Sequence, residues 1–331
     1  MKPIDATDTT YKGRFAPSPT GPLHAGSLLT ALASYLDAKA HGGQWIIRIE
    51  DIDSTRCQDQ WSQAILHQLD FYGLRSDEEV VYQSKRLPLY QKAFEQLQQL
   101  NLIYPCSCSR KQIQLYLENQ TQHPQHLAIY LGPCKTQAAK PNHAWAWRLR
   151  SDAAVAMWQN KNLQTQANSN LKNSCILWQD RLLGEQSQDL INEVGDFVIK
   201  RSDGLFAYQL AVVVDDLDQG ITDIVRGQDL ADNTARQLAL LSCLSTTAKV
   251  LPIWRYYHCP LVLHTDGEKL SKQNGAKPLS TTENPLIALN CAALQLGLPT
   301  QALHIPLATA LVNWTLNWHQ KIAFEKIRPT Q

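Results

Sequence analysis

The stretch Arg14-Phe-Ala-Pro-Ser-Pro-Thr-Gly-Pro-Leu-His-Ala-Gly-Ser27 leaves this chain few ways to fold. Three prolines and a glycine hold Pro17 to Pro22 out of regular structure. Directly after them, Ser27 to Ala40 reads as a helix. Its Leu28, Leu32, Tyr35 and Leu36 share one face, and Gly42-Gly43 lies at the exit. A stiff loop therefore delivers His24, Gly26 and Ser27 to a helix N-terminus. Unpaired backbone N–H groups and the positive end of the helix dipole make that place suited to phosphate.

Gln44-Trp-Ile-Ile-Arg-Ile-Glu-Asp51 then reads as a buried strand that ends in carboxylates. Loop, helix and strand in this order form a nucleotide-binding half-unit, in which ligands collect at the carboxyl ends of the strands. Arg14, His24, Glu50 and Asp51 converge there. A proline-rich surface turn with an ordinary histidine is the plainer alternative, and it leaves the charged strand end unexplained.

Pro17-Ser-Pro-Thr-Gly-Pro-Leu-His-Ala-Gly-Ser27 resembles the "HIGH" region of the class I aminoacyl-tRNA synthetases, in the form carried by the glutamate branch. Lys269-Leu-Ser-Lys-Gln273 resembles the second motif of that class, "KMSKS". Ser27 replaces the last histidine of the first motif, and Gln273 the last serine of the second. The resemblance spans roughly residues 11 to 280. It implies an α/β, Rossmann-like catalytic domain with an inserted acceptor-type subdomain and a short C-terminal helical region.

The remaining chain is consistent with that plan. Gln58 to Tyr72 reads as an amphipathic helix closed by Gly73, and Leu87 to Leu102 as another. Asn142 to Arg150 alternates like a strand, Gln159 to Asn173 reads as an exposed loop, and Cys175 to Asp180 as a strand. Gly195 to Lys200 opens a second half-unit. Phe206 to Asp216, with its Val212-Val-Val214 run before acid, reads as a buried strand, as does Thr222 to Leu230. Asp232 to Leu244 reads as a helix, and Asn284 to Arg328 as a helical region. The expected divisions are residues 1–104 and 191–245 for the two catalytic halves, 105–190 for the insertion, and 246–331 for the second-motif loop and the C-terminal helices. A full glutamyl-tRNA synthetase continues with a helical anticodon-binding domain, for which this sequence leaves no room.

Charged residues make up 18% and net charge is +1, so no global field draws the chain onto nucleic acid. RNA contact must use a local patch. The N-terminus lacks a signal-peptide core, no apolar run approaches the ~18 residues of a membrane helix, and a cytoplasmic monomer is expected. The eight cysteines then read as thiols or metal ligands. Cys106, Cys108 and Cys134 leave a tetrahedral zinc ion one ligand short, with His123, His126 and Tyr130 as candidates. The family's Cys-x-Cys, Tyr-x-x-x-Cys knuckle implies Tyr130.

The resemblance also implies roles. Pro17, Gly21, His24, Gly26, Ser27, Ser271 and Lys272 would bind ATP, accompanied by Mg²⁺. His24, Lys272 and Lys269 would stabilise the transition state. Arg14, Phe15, Ala16, Pro17, Ser18, Glu50, Tyr208 and Arg226 would hold L-glutamate, its carboxylates on Arg14 and Arg226 and its ammonium group on Glu50. The short, glutamate-type chain with Cys-x-Cys and His-Ala-Gly-Ser is most similar to the branch that transfers activated glutamate to queuosine in the anticodon stem-loop of tRNA(Asp). A short synthetase charging a tRNA acceptor end and an inactive RNA-binding paralogue are the alternatives.

Overall fold

The computed structural model describes residues 11–118, 129–130, 132–136, 144–162, 174–245, 251–263, 270 and 275–325. A seven-stranded sheet runs through it in the order β3-β2-β1-β9-β10-β6-β7. Its strands are β1 (Lys12–Phe15), β2 (Gln44–Ile49), β3 (Val81–Tyr82), β6 (Cys175–Asp180), β7 (Gly184–Asp189), β9 (Asp223–Gly227) and β10 (Arg255–Cys259). All neighbours are parallel except the β6–β7 hairpin. A separate antiparallel sheet joins β4 (Ile103–Cys106), β5 (Ala146–Leu149) and β8 (Val198–Lys200).

The chain leaves β1 toward β2 and β3 on one side and returns much later as β9 and β10 on the other. The strand order therefore reverses between β1 and β9. Crevices at such a reversal, outside the carboxyl ends of the strands, are where doubly wound sheets bind ligands. The central strands are buried on both faces, as the burial of Trp45, Ile46, Ile47 and Ile49 in β2 shows.

Helix α1 (Ala25–Ala40) covers one face. It buries Leu28, Leu32 and Leu36 in a cluster with Trp45, Trp314 and Trp318. The last two belong to α9 (Leu307–Glu325), which with α8 (Pro285–Gln295) packs on α1. Asp37 of α1 is fully buried and accepts from Tyr11 Oη (2.5 Å), Arg181 Nη1 (2.9 Å) and Trp318 Nε1 (2.9 Å). The other face carries α3 (Leu87–Gln99), α5 (Ser151–Asn162), α6 (Tyr208–Asp218) and α7 (Thr234–Leu244), while α4 (Arg110–Glu118) follows β4. Helix α2 (Asp59–Phe71) ends as expected at Gly73, whose φ of 72° is open to glycine at no steric cost. No helix among the described residues is long and apolar enough to cross a membrane.

Three sequence readings are corrected. Phe206 to Asp216 is not a strand, because Tyr208 opens helix α6. Leu210, Val213, Val214 and Leu217 all join one apolar cluster, and that spacing is helical. The expected loop from Gln159 begins inside α5, which runs to Asn162, and residues 163–173 lie outside the described residues. The expected helix from Asp232 starts as a 3-10 turn (Gln228–Asn233) and becomes α-helical only at Thr234.

Candidate active site

Arg14 and Phe15 close β1, Glu50 follows β2, and Arg226 lies near the end of β9. His24 stands at the start of α1 and Tyr208 at the start of α6. These side chains line one cavity of about 500 Å³. Ala16, Pro17, Ser18, Gly26 and Ser27 complete its expected wall, whereas Gly21 is not part of it. Arg56, Asp229 and Leu230 also line it and were not anticipated. The Arg56 side chain is 72% exposed and its Nε donates to Asp53 Oδ2 at 2.8 Å. The signal in the sequence was the pair Asp53 and Arg56, three residues apart just beyond the charged end of β2.

At the helix start the structure changes one expectation. The Gly26 N–H is not open to a phosphate, because it donates to His24 Nδ1 at 3.2 Å and caps the helix. An accepting Nδ1 places the ring proton of neutral His24 on Nε2, the nitrogen that can donate to a phosphate oxygen. Leu270 also lines the cavity, and a Cβ added at Gly26 would lie 3.8 Å from its carbonyl oxygen. The Leu270 N–H is held by the Val262 carbonyl at 2.8 Å. Leu270 of the second motif thus lies beside Gly26 of the first. Lys269, Ser271 and Lys272 lie outside the described residues.

Beneath the cavity runs a buried ionic network. Arg14 Nε and Nη2 donate to the two oxygens of Asp216 at 3.0 and 3.2 Å. Arg48 of β2 is fully buried and reaches Asp216 at 2.8 Å and Glu50 at 3.4 Å. Asp215, beside Asp216 on α6, accepts from Gln83 Nε2 (2.7 Å), Arg86 Nε (2.7 Å) and Tyr90 Oη (2.9 Å). Arg14, expected to meet a substrate carboxylate, is therefore already paired within the protein. Burial opposes the charge of Asp216, but Arg14 and Arg48 outweigh it and hold the carboxyl below its ordinary value. Glu50 goes the other way: burial raises it to about 7, against the pull of Arg48 and Arg14. A carboxyl poised near neutrality recovers its charge when an ammonium group is placed beside it.

Arg226 is 4% exposed and has a different environment. Its Nε donates to His258 Nε2 (3.0 Å), Nη1 to Gln237 Oε1 (2.7 Å) and Nη2 to Thr234 Oγ1 (2.8 Å). Burial lowers His258, although its hydrogen bond with Asp180 works the other way, and its Nε2, which accepts from Arg226, carries no proton. Its Nδ1–H points to Asp180 Oδ2 at 2.6 Å. No carboxylate lies within 4.0 Å of the Arg226 nitrogens among the described residues. A buried guanidinium without a counter-ion is costly unless a ligand supplies one.

A second cluster sits at the end of β4. Cys106, Cys108 and Cys134 bring their sulfurs within 4.8 Å of one another. Tyr130 Oη lies 3.0 Å from Cys106 Sγ and 3.4 Å from Cys108 Sγ. Three thiols and one phenol thus converge in a patch that buries Cys106, Tyr130 and Cys134. The turn between Tyr130 and Cys134 depends on Gly132, where φ is 75° and a Cβ would meet Tyr104 Oη and Asp196 Oδ2 at 2.7 Å. His123 and His126 lie outside the described residues.

A family model described as the catalytic domain of class I tRNA synthetases (E and Q) matches residues 10–284, and the chain belongs to that family. A relative named Glutamyl-Q tRNA(Asp) synthetase, from Albidiferax ferrireducens, is 53% identical over 93% of this chain and 98% of its own length. One of the same name from Cupriavidus metallidurans is 47% identical over 92% of this chain and 91% of its own. Among solved structures, a glutamate tRNA ligase from Elizabethkingia meningosepticum, in complex with its amino acid, superposes with a TM-score of 0.63 at 25% identity. That match covers 80% of this chain and 52% of the ligase, so this chain spans about half the length of that enzyme.

Proposed function

We propose that this chain activates L-glutamate with ATP and transfers it to the queuosine base in the anticodon of tRNA(Asp). Arg226 carries the amino-acid half of this reading. A buried cation with only neutral partners, set in the cleft at the strand reversal, is suited to a substrate carboxylate. Glu50, across the same cavity, takes the α-ammonium group. Arg14, fixed by Asp216, lends a second guanidinium edge to the acidic amino acid.

In the first step a substrate α-carboxylate oxygen attacks the α-phosphorus of ATP, the α–β phosphoanhydride bond breaks, and pyrophosphate leaves. No protein nucleophile is needed. Alignment and neutralisation of growing negative charge are what the protein contributes. His24 Nε2–H donates to the phosphates, while Lys269 and Lys272 of the second motif follow the charge on the leaving group. Mg²⁺ arrives with ATP and offsets phosphate charge. In the second step a hydroxyl of the queuosine cyclopentene diol attacks the adenylate carbonyl, an ester forms, and AMP leaves.

The experiment is to incubate radiolabelled glutamate and ATP with two RNAs. One is an anticodon stem-loop of tRNA(Asp) bearing queuosine, and the other is whole tRNA(Glu). Label on the stem-loop alone is expected. Label on the terminal adenosine of tRNA(Glu), with none on the stem-loop, assigns the activity to a conventional charging enzyme. No adenylate at all leaves an RNA-binding paralogue.

We further propose one structural zinc ion on Cys106, Cys108, Tyr130 and Cys134. Three soft thiols within 4.8 Å of one another, with the Tyr130 hydroxyl beside two of them, fit tetrahedral zinc. Burial and the hydrogen bond with Cys106 raise the Tyr130 hydroxyl, so its phenolate form needs a cation. Purified protein is expected to carry stoichiometric zinc by metal analysis, and the Cys106→Ser, Cys108→Ser double variant none. Wild-type protein free of zinc after preparation without chelators would reduce the cluster to plain thiols.

A further inference from the structure

Arg226 serves glutamate only if nothing in the protein cancels its charge, and three residues that lie outside the cavity wall decide that. Thr234 and Gln237 stand one turn apart at the start of α7, and His258 stands on β10. They are 0%, 1% and 0% exposed. Each offers the guanidinium one neutral acceptor atom. Together they occupy three of the five N–H donors and leave two for a ligand. Behind them, Asp180 spends its oxygens on the His258 ring and on the Leu182 and Leu183 N–H groups at 2.9 and 2.8 Å.

Gln237 is the informative member. Its Oε1 faces Arg226 at 2.7 Å, the shortest of the three contacts. Burial raises the Tyr208 hydroxyl, and a hydrogen bond from the Gln237 side chain works against it. The carboxamide cannot turn over, since its NH₂ would then confront the guanidinium N–H groups. A glutamate here would have the same shape and would set a charge against Arg226. The chain instead places a carboxamide there, so the acceptor that faces the guanidinium is neutral.

We propose that Gln237 is a positioning residue that sets amino-acid specificity: its neutral carboxamide fixes Arg226 while keeping the guanidinium charge available for the side-chain carboxylate of the substrate. The protein thereby excludes an internal mimic of its own ligand. The proposal rests on the assignment of Arg226 to the substrate carboxylate.

The test compares Gln237→Glu with Gln237→Met by ATP–pyrophosphate exchange at varied glutamate, ATP and glutamine. The glutamate variant keeps shape and hydrogen bond but adds a charge that pairs with Arg226, so the fold gains a partner. Its KM for glutamate is expected to rise on the order of 100-fold, with kcat and the KM for ATP little changed. The ratio of kcat/KM for glutamate over glutamine should fall by a similar factor, which a merely structural defect would not produce. Gln237→Met removes the acceptor but leaves the charge open. Its KM is expected to rise about 10-fold, with discrimination against glutamine largely kept. Equal effects of the two variants, or loss of discrimination in the methionine variant, would overturn the proposal. Arg226→Gln separates the two layers. If it too leaves the KM for glutamate at the wild-type value, the pocket assignment fails. If it alone raises that KM, only the role of Gln237 falls.

Discussion

Arg226→Gln is expected to raise the KM for glutamate by two to three orders of magnitude in ATP–pyrophosphate exchange. The wild-type guanidinium is 4% exposed and no protein carboxylate approaches it among the described residues. A substrate carboxylate brought into that site makes a desolvated, charge-assisted contact. Removing one partner of such a pair costs about 3–5 kcal/mol, and each 1.4 kcal/mol is tenfold in affinity. Arg226→Lys keeps the charge but loses the planar fork that meets His258, Gln237 and Thr234 together, so it should fall between the two. A glutamine variant that saturates at wild-type glutamate concentrations would move the carboxylate site elsewhere.

The second large effect concerns folding. Asp216→Asn should destabilise the protein by about 3–5 kcal/mol in a denaturant titration, because it leaves buried Arg14 without its carboxylate and takes one from Arg48, which keeps Glu50 at 3.4 Å and Gln219 at 2.6 Å. Arg14 and Arg48 both end on Asp216, and their side chains are 4% and 0% exposed. Asp70→Asn is the control. It breaks a pair with Arg75 at 2.6 Å, a shorter contact than Arg14–Asp216 at 3.0 Å, yet the two side chains are 61% and 75% exposed. Burial and not distance sets the magnitude, so the control should cost less than about 1 kcal/mol. Equal midpoints for the two variants would show the network to be energetically idle. The same substitution removes the anchor that fixes Arg14 at the cavity, so the glutamate requirement should rise as that edge loses its position.

The first half-unit was legible because its signals are local. Prolines, glycine, helix periodicity and an apolar strand follow one another within 40 residues, and α1 and β2 appear where that order puts them. Arg14, His24, Glu50, Tyr208 and Arg226 do meet in one cavity. Their partners were not legible. Arg14 and Asp216 are 202 positions apart, and no pattern in either segment links them. The three neutral acceptors around Arg226 come from two elements whose sequences look like ordinary core.

Helix α6 was misread for a different reason. Its valines and terminal acids imitate a buried strand that meets solvent. In fact Asp215 and Asp216 are buried, so the helix is covered on nearly every side. An all-round buried helix loses the polar stripe by which helices are recognised. The Leu210, Val213, Val214, Leu217 spacing was the available clue. Gly26 was misjudged at the scale of one hydrogen bond, since sequence does not reveal which way a histidine ring turns at a cap.

The carboxylate of Asp37 ties the lead-in to β1, the β6–β7 corner and α9 together, and its bond to Trp318 spans 281 positions. A ribosome making this chain releases helix α1 early but must add Trp314 and Trp318 before that helix has its full cover. Until then Leu28, Leu32 and Leu36 lack part of their partner surface, and contacts of such long separation form slowly. The nascent chain thus spends most of its synthesis with its most recognisable motif attached to an unfinished core. Chaperone demand and sensitivity to premature release should follow from the far end of the sequence, well beyond the residues that line the cavity.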